Sequence, residues 1–170
     1  GDTVLLNGTI YTARDAAHSR LVDLIEAGED LPFDLEGSVI YFVGPTPPKP
    51  GDPIGSAGPT TSYRMDSFSP MMLKHGSKGM IGKGKRNQEV KDACVDYDGI
   101  YFGATGGAGA LLGKQIRSAE VIAYPELGPE AVRKITVEDF PVTVVNDTKG
   151  NDIYHRGRAE YEIKDECARL

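Results

Sequence analysis

The chain has 170 residues, of which 39% are hydrophobic and 26% charged, and its formal net charge at pH 7 is -6. This length suits one domain with a substantial core, and the negative charge argues against general nucleic-acid binding. No apolar run approaches the roughly 20 residues of a membrane-spanning helix, and nothing at the N-terminus resembles a signal peptide. We therefore expect a cytoplasmic protein with no membrane or nucleic-acid partner, in which residues 1–170 form a single domain.

The first part of the chain predicts a hairpin followed by a helix. Residues 2–12 contain two apolar runs around Asn7-Gly8, a dipeptide typical of two-residue hairpin turns. Thr12 is placed to cap a helix whose apolar residues recur at helical spacing. Arg14 would lie in the first turn, where a cation opposes the helix dipole unless an anion is bound nearby. His18, one turn later, is expected to have a structural role.

A proline-rich loop connects a buried strand to the strongest candidate for a site. Residues 38–43 form a compact apolar strand, and residues 45–57 then predict an extended internal loop. The next segment, 58–66, is GPTTSYRMD. If its backbone becomes helical after Pro59, Thr60 and Arg64 share a face beside the first-turn amides, which suits a small anion. The alternative is a threonine-capped helix with a surface arginine.

A locally basic region follows, although the whole chain is acidic. Residues 71–90 contain one acid and five basic residues, namely Lys74, Lys78, Lys83, Lys85 and Arg86. Glycines on both sides of Lys83 would let the backbone approach a ligand and leave the ammonium free to point into a site. The region indicates a small anionic ligand, with solvated surface lysines as the alternative. The order of residues in a nucleotide phosphate loop is absent.

The second half of the chain alternates strands with short helices. Strands are predicted at 99–104, 120–124 and 142–145, helices at 87–94 and 129–134, and a charged, helical C-terminal tail at 157–170. A glycine-rich stretch, 105–109, opens a small-residue helix. The spacing of a dinucleotide fingerprint is not met, and close packing of this helix on the sheet explains the glycines more simply. This alternation predicts an α/β domain with a mixed, partly parallel sheet and flanking helices.

Several segments resemble those of the class I, iron-sulfur fumarase family. They are GTIYTARDAAH, GPTTSYRMD, MIGKGKR and ATGGAGALL, followed by YPELGPEAV and DFPVTVVND, in order between Gly1 and about Tyr154. In that family the matching piece is the C-terminal domain of a long chain or a separate β subunit, and the L-tartrate dehydratase β subunit is a close relative. The fold that the resemblance implies is the swivelling β/β/α type.

The resemblance implies a hydro-lyase that interconverts fumarate plus water with L-malate. In the family, a 4Fe-4S cluster is held by a separate α subunit or domain, so the expected partner is a cluster-bearing α subunit in a heterodimer or an α2β2 assembly. No metal or cofactor is expected on this chain, whose two cysteines, Cys94 and Cys167, lie far apart and outside any metal-ligand spacing. We expect the chain to be inactive alone.

The resemblance also assigns roles to four residues. Arg14, Arg64 and Lys83 match the contacts to the substrate carboxylates, and Thr60 matches the proposed catalytic base. Arginine holds a carboxylate through two parallel hydrogen bonds, whereas lysine supplies a point charge. A threonine hydroxyl needs nearby cations to act as a base, and Arg64 is assigned that role by its spacing from Thr60.

Other functions stay open at this stage. The substrate could be tartrate or a related dicarboxylate, because discrimination between substrates is expected to depend on the partner. A second class is a non-catalytic, anion-binding regulatory domain. A third is a nucleotide-binding α/β enzyme that acts alone.

Overall fold

A computed structural model describes residues 1–162 of the chain. The predicted C-terminal tail falls partly within it, since residues 163–170, with Cys167, lie outside the described residues. The six strands are β1 (Thr3–Thr12), β2 (Val39–Tyr41), β3 (Gly79–Gly82), β4 (Ile100–Gly103), β5 (Ile116–Ala123) and β6 (Val132–Asn146). The helices are α1 (Asp15–Ala27), α2 (Ser69–Lys74), α3 (Gln88–Asp96), α4 (Gly109–Lys114) and α5 (Ile153–Tyr161), with short 3-10 helices at Ser62–Met65 and Pro125–Glu130.

The strands form one mixed sheet that closes on itself. Their order is β1-β2-β3-β4-β6-β5, and β1 also pairs with β6, so five strands make a closed barrel with β5 attached to β6. Strands β1 to β4 are parallel, whereas β6 runs antiparallel to β1, β4 and β5. The predicted α/β class with a partly parallel sheet and flanking helices is confirmed.

The two faces of the strands bury two separate cores. Ile40 in β2 and Phe42 directly after it belong to a cluster that includes residues of α1, α2 and α3. Tyr41, which points the other way, belongs to a second cluster with residues of β1, β3, β4 and β6. Because side chains alternate across a strand, one cluster fills the barrel and the other packs the helices against its outside.

The hairpin predicted at Asn7-Gly8 is wrong, because β1 is one continuous strand. It pairs with the distant strand β6 from Thr3 to Thr12, with a register shift between Leu6 and Gly8. Gly8 has φ 114°, a conformation that glycine adopts without strain and that here forms a bulge. The Asn7 side-chain oxygen accepts a hydrogen bond from the Asp139 amide at 2.9 Å. Long-range pairing therefore overrides the local turn signal.

The helix predicted at 129–134 is also wrong, since β6 begins at Val132 and continues for 15 residues. Pro141 lies inside this strand, although the sequence predicted a strand only from residue 142, directly after the proline. On one side β6 pairs with β5 up to Val137 and with β4 only from Thr143. Pro141 falls between these two partners, where its missing amide proton interrupts no hydrogen bond on that side.

Helix ends follow the local signals more closely than the strands do. Helix α1 ends at Gly28, which has the left-handed conformation, and the Asn87 side chain caps α3 by accepting a hydrogen bond from the Val90 amide. Thr12 is not the cap of α1. It ends β1, where its hydroxyl accepts a hydrogen bond from the Arg133 amide at 3.1 Å, and Arg14 occupies the cap position.

Candidate functional site

The predicted site residues follow the carboxyl ends of the parallel strands. Arg14 follows β1, Lys83 follows β3, and the glycine loop, which we define as residues 104–108, follows β4. Because these strands run in the same direction, their carboxyl ends lie at one edge of the sheet. This edge is where α/β proteins commonly bind ligands.

Thr60 is held beside Lys83 by backbone hydrogen bonds. The Thr60 amide donates to the Phe42 carbonyl at 2.7 Å, at the end of β2. The Lys83 amide donates to the Thr60 carbonyl at 3.3 Å, and the Ser62 amide donates to the Lys83 carbonyl at 2.9 Å. The segment 58–66, which we call the threonine turn, is therefore fixed between β2 and the residues after β3.

The threonine turn does not become helical after Pro59, contrary to the sequence-based prediction. Pro59 pairs with Val43 and Thr61 pairs with Lys83, so the backbone stays extended across Thr60. The four-residue 3-10 helix begins only at Ser62, and no side chain caps it. Helical spacing therefore does not bring Thr60 and Arg64 together. Their roles in binding and proton transfer stay predictions.

The charges of the Arg64 and Lys83 side chains are not neutralised by an acidic side chain within residues 1–162. Arg64 is exposed and Lys83 partly buried. Within residues 1–162, neither side chain takes part in an ion pair. The Lys83 side chain passes Gly106 in the glycine loop, since a Cβ built on Gly106 would lie 3.8 Å from its Nζ. Within residues 1–162, the ammonium of Lys83, next to the threonine turn, and the guanidinium of Arg64, within it, are therefore not neutralised by an ion pair.

The predicted close packing around the glycine-rich stretch is present at Gly109. The Ala57 amide donates to the Gly109 carbonyl at 2.9 Å. A Cβ on Gly109 would lie 2.9 Å from the backbone nitrogen of Gly58, too close for any side chain. Helix α4 packs on the strands through Leu112, and it also packs on the residues leading into the threonine turn.

Arg14 lies at the same edge, against Gly44, which follows β2 in the chain. A Cβ on Gly44 would come within 2.9 Å of Arg14 Nη1, so glycine is required for the guanidinium to lie there. Arg14 Nη2 lies 3.0 Å from Glu130 Oε1, and its side chain is 20% exposed. Its Nε is buried and has no hydrogen-bond partner among the described residues. A buried donor without an acceptor is unfavourable unless a ligand supplies one.

A buried ion pair between Asp66 and Arg86, which was not predicted from the sequence, connects the threonine turn to the residues after Lys83. Arg86 Nε donates to Asp66 Oδ1 at 2.6 Å, and its Nη2 donates to the Ser69 hydroxyl at 2.6 Å. The Arg86 side chain is 0% exposed and its guanidinium lies over the Tyr101 ring. Asp66 also accepts the Asn87 amide at 2.9 Å. The end of the threonine turn is thereby anchored to the residues after Lys83.

This result corrects the interpretation of the basic region at 71–90. Arg86 faces the core, and the Lys78 ammonium donates to the Tyr97 carbonyl at 2.6 Å. The five cations therefore do not form one anion-binding surface. Asp66 and Arg86 both lie in segments that resemble the family, but nothing in either segment specifies that the two residues pair.

A second buried contact supports the same arrangement. The Tyr101 hydroxyl lies 2.9 Å from the Ser62 hydroxyl and donates to the Gly84 carbonyl at 3.0 Å. Burial raises the pKa of Tyr101 to about 12, so the phenol stays protonated and can donate at neutral pH. Ser62 begins the 3-10 helix and Gly84 follows Lys83, so this tyrosine connects the threonine turn to the residues after β3.

His18 fixes the backbone from which Arg14 projects. Its Nδ1 lies 2.9 Å from the Arg14 carbonyl, which can only accept, so the neutral ring carries its proton on Nδ1. Burial lowers the pKa of His18 from 6.5 to about 4, although the hydrogen bond to Arg14 opposes this shift. The predicted structural role of His18 agrees with these contacts.

His18 is expected to make the folded state less stable as the pH falls from 6.5 to about 4. In this window the unfolded chain binds a proton at His18 and the folded chain does not, so protons favour unfolding, by about 3 kcal/mol in total. His18→Asn keeps a donor and should flatten this part of the pH profile of the unfolding free energy. His75→Asn is the control, since the exposed His75 makes the same type of contact, to the Met71 carbonyl. Equal slopes in wild type and His18→Asn would contradict the assignment.

Comparison with known proteins identifies the family. The family model described as "Fumarase C-terminus" matches residues 1–157. The chain belongs to this family. It is 48% identical over 153 residues to a class I, anaerobic fumarate hydratase of Escherichia coli and 45% identical over 158 residues to fumarate hydratase 2 of Leishmania major. It covers 28% of the length of each, while 89% and 92% of the chain itself is matched.

A member of another kind is similar in length to this chain. A putative L(+)-tartrate dehydratase subunit beta of Methanocaldococcus jannaschii is 41% identical over 160 residues, which cover 91% of the chain and 82% of that subunit. These relatives of the Fumarase C-terminus domain are hydro-lyases. The domain thus occurs both within long fumarate hydratase chains and as a subunit of its own.

The described part of the domain holds no candidate metal site. In residues 1–162, no group of three or more histidine, cysteine, aspartate or glutamate side chains could bind a metal ion. Burial raises the pKa of the Cys94 thiol to about 11. Among the same residues no helix is both long and apolar enough to cross a membrane.

Proposed function

We propose that this chain supplies the carboxylate-binding and proton-transferring residues of an iron-sulfur-dependent hydro-lyase, a fumarate hydratase that interconverts fumarate plus water with L-malate. In this proposal the 4Fe-4S cluster is held by an α subunit, and the two chains form a heterodimer or an α2β2 assembly in the cytoplasm. The observation that carries the proposal is the backbone pairing of Thr60 with Lys83 at the carboxyl edge of the parallel strands, the edge at which Arg14 follows β1.

The chemistry of a dicarboxylate fits the charges at this edge. Fumarate has two anionic ends, and Arg14, Arg64 and Lys83 offer two planar forks and one ammonium. Removal of a proton from the carbon beside a carboxylate increases the negative charge there, and fixed cations stabilise that transition state. The Thr60 hydroxyl accepts the proton in this proposal, and the ammonium of Lys83 lowers the cost of an alkoxide nearby.

A second candidate is the β subunit of an L-tartrate dehydratase or a related dicarboxylate hydro-lyase. It is supported by the 41% identity over 160 residues to a putative L(+)-tartrate dehydratase subunit beta. Tartrate and malate share two carboxylates and a hydroxyl, so the same three cations serve both. The partner would then contribute the discrimination between them.

Reconstitution tests the proposal directly. The protein is mixed anaerobically with the cluster-loaded partner chain. The absorbance of fumarate is followed with L-malate and fumarate as substrates, and the oxaloacetate formed by loss of water is measured with each tartrate enantiomer. We expect turnover only in the mixture and fastest with fumarate and L-malate. A tartrate preference would select the second candidate. A stable complex that turns over none of these acids would instead indicate an anion-binding regulatory domain.

Arg64→Lys is expected to lower kcat/KM by roughly 10²-fold although the charge is kept, because lysine cannot form two parallel hydrogen bonds to a carboxylate. Steady-state kinetics of the assembled enzyme measure this effect. Arg117→Lys is the matched control, since Arg117 is exposed and pairs with Glu138 on β6. If Arg64→Lys behaves like Arg117→Lys, Arg64 does not bind the substrate.

A further inference from the structure

The contact between Arg14 and Glu130 places an internal carboxylate on a predicted substrate-binding arginine. Glu130 Oε1 lies 3.0 Å from Arg14 Nη2, whereas the nearer acid in sequence, Asp15, lies 3.7 Å from that nitrogen. Arg14 Nη1 lies over Gly44, and Nε is buried without a partner among the described residues. One terminal nitrogen is thus occupied by the protein itself. Among the described residues nothing pairs with Nη1, and this nitrogen is left for an acceptor from outside the chain.

Glu130 is itself held in place from two directions. Its Oε2 accepts a hydrogen bond from the Ala16 amide at 3.4 Å, in the first turn of α1, where a carboxylate also interacts favourably with the helix dipole. The turn that precedes it is held by Arg133. The guanidinium of Arg133 donates to the carbonyls of Gly128 at 2.9 Å and of Pro129 and Ala131 at 3.1 Å. Glu130 is therefore a rigid neighbour of Arg14, not a mobile surface acid.

We propose that Glu130 is a positioning residue that orients the Arg14 guanidinium for a substrate carboxylate. This proposal rests on the proposed function, in which Arg14 binds one end of a dicarboxylate. An arginine has a long, flexible side chain, and binding a ligand with it costs less free energy when the side chain is already ordered. Glu130 supplies that order by holding one nitrogen, and Gly44 provides the space in which the planar group lies.

The direction in which KM changes in Glu130→Gln distinguishes a positioning role from competition between Glu130 and the substrate for Arg14. If Glu130 were only an anion that competes with the substrate for Arg14, its neutralisation would strengthen substrate binding and lower KM. If it orients Arg14, Glu130→Gln should raise KM by roughly 3- to 10-fold, because the side chain must be ordered on binding. The value of kcat should change much less, since Glu130 does not contact the substrate.

The test uses the full protein assembled with its cluster-bearing partner, with KM and kcat measured for fumarate and L-malate. The variants are Glu130→Gln, Glu130→Asp, Arg14→Ala and the double variant Arg14→Ala/Glu130→Gln. We expect Glu130→Gln to have no further effect on KM once Arg14 is alanine. Glu126→Gln is the matched control, because Glu126 lies in the same turn but forms an exposed ion pair with Arg20. Such exposed pairs contribute little to stability.

The outcomes distinguish failure of this inference from failure of the proposed function. If Arg14→Ala raises KM and Glu130→Gln leaves it unchanged or lowers it, the positioning role is wrong and the function stands. If Arg14→Ala leaves KM unchanged, Arg14 is not in the site and both the assignment and this inference fail. Should Glu130→Gln fold poorly, Glu130→Asp keeps the charge with a shorter reach, and a wild-type KM for that variant would also overturn the proposal.

Discussion

Thr60→Val is expected to lower kcat of the assembled enzyme by roughly 10²- to 10⁴-fold, the usual effect of removing a general base. Valine keeps the shape of threonine and leaves intact the backbone hydrogen bonds of Thr60 to Phe42 and Lys83. The loss should therefore appear in kcat with little change in stability. Thr60→Ser retains the hydroxyl and should keep part of the activity. The measurement is steady-state turnover of L-malate, with thermal unfolding as the check on folding.

Thr61→Val is the control that the chain itself offers. The backbone is extended at Thr61, and successive side chains of an extended segment point to opposite sides. Both hydroxyls cannot therefore face the same substrate, and Thr61→Val should remain close to wild type. Full activity in Thr60→Val would show that Thr60 is not the base. A large loss of activity in Thr61→Val, with none in Thr60→Val, would assign the base to Thr61.

Arg86→Ala is expected to destabilise the protein by about 3–5 kcal/mol, the cost of breaking a buried ion pair on one side. Among the described residues, the substitution leaves the Asp66 carboxylate, with 11% of its side chain exposed, paired only with the Asn87 amide. It also removes the hydrogen bond to Ser69 and the contact with the Tyr101 ring. Urea unfolding of the protein measures the free energy of unfolding for comparison with wild type.

An exposed ion pair of similar geometry provides the control for Arg86. Arg117 Nε lies 2.7 Å from Glu138 Oε2, with both side chains more than half exposed. Arg117→Ala should therefore cost only about 0–1 kcal/mol. In a double-mutant cycle, Asp66→Ala should cost much less when Arg86 is already alanine. Additive losses, or an Arg86→Ala cost similar to that of Arg117→Ala, would show that the buried pair does not anchor the site.

Local sequence signals predicted the elements whose ends depend on neighbouring residues. The helix predicted after Thr12 is α1, which ends at Gly28, and the helix predicted at 87–94 is α3, which Asn87 caps. Such helix ends depend on backbone groups within one turn of the chain. The hairpin at Asn7-Gly8 and the helix at 129–134 failed. The segment around Asn7-Gly8 is a strand whose partner, β6, lies more than a hundred residues away, and no local pattern specifies such a partner. In the segment 129–134, a 3-10 helix ends at Glu130 and β6 begins at Val132, where it pairs with both the neighbouring strand β5 and the distant strand β1.

The candidate site was predicted from segments of sequence, but its geometry was not. The motifs around Arg14, Thr60, Arg64 and Lys83 predicted which residues to consider. They did not predict that the threonine turn is extended at Thr60 or that Lys83 pairs with Thr61. Glu130 gave no usable sequence signal, since one glutamate after a glycine-proline pair resembles any surface acid.

By itself, the sequence determined the α/β class, the family and the set of charged and hydroxyl side chains available for chemistry, because composition, alternation and motifs are properties of the chain. The tertiary structure alone decided which of these side chains meet. Closure of the barrel through β6 brings Glu130 to Arg14, and packing of the turn after β2 against the end of β3 brings Thr60 to Lys83. Burial likewise turned Arg86 from an apparent surface cation into an anchor, since an ionised group that is removed from water requires a partner.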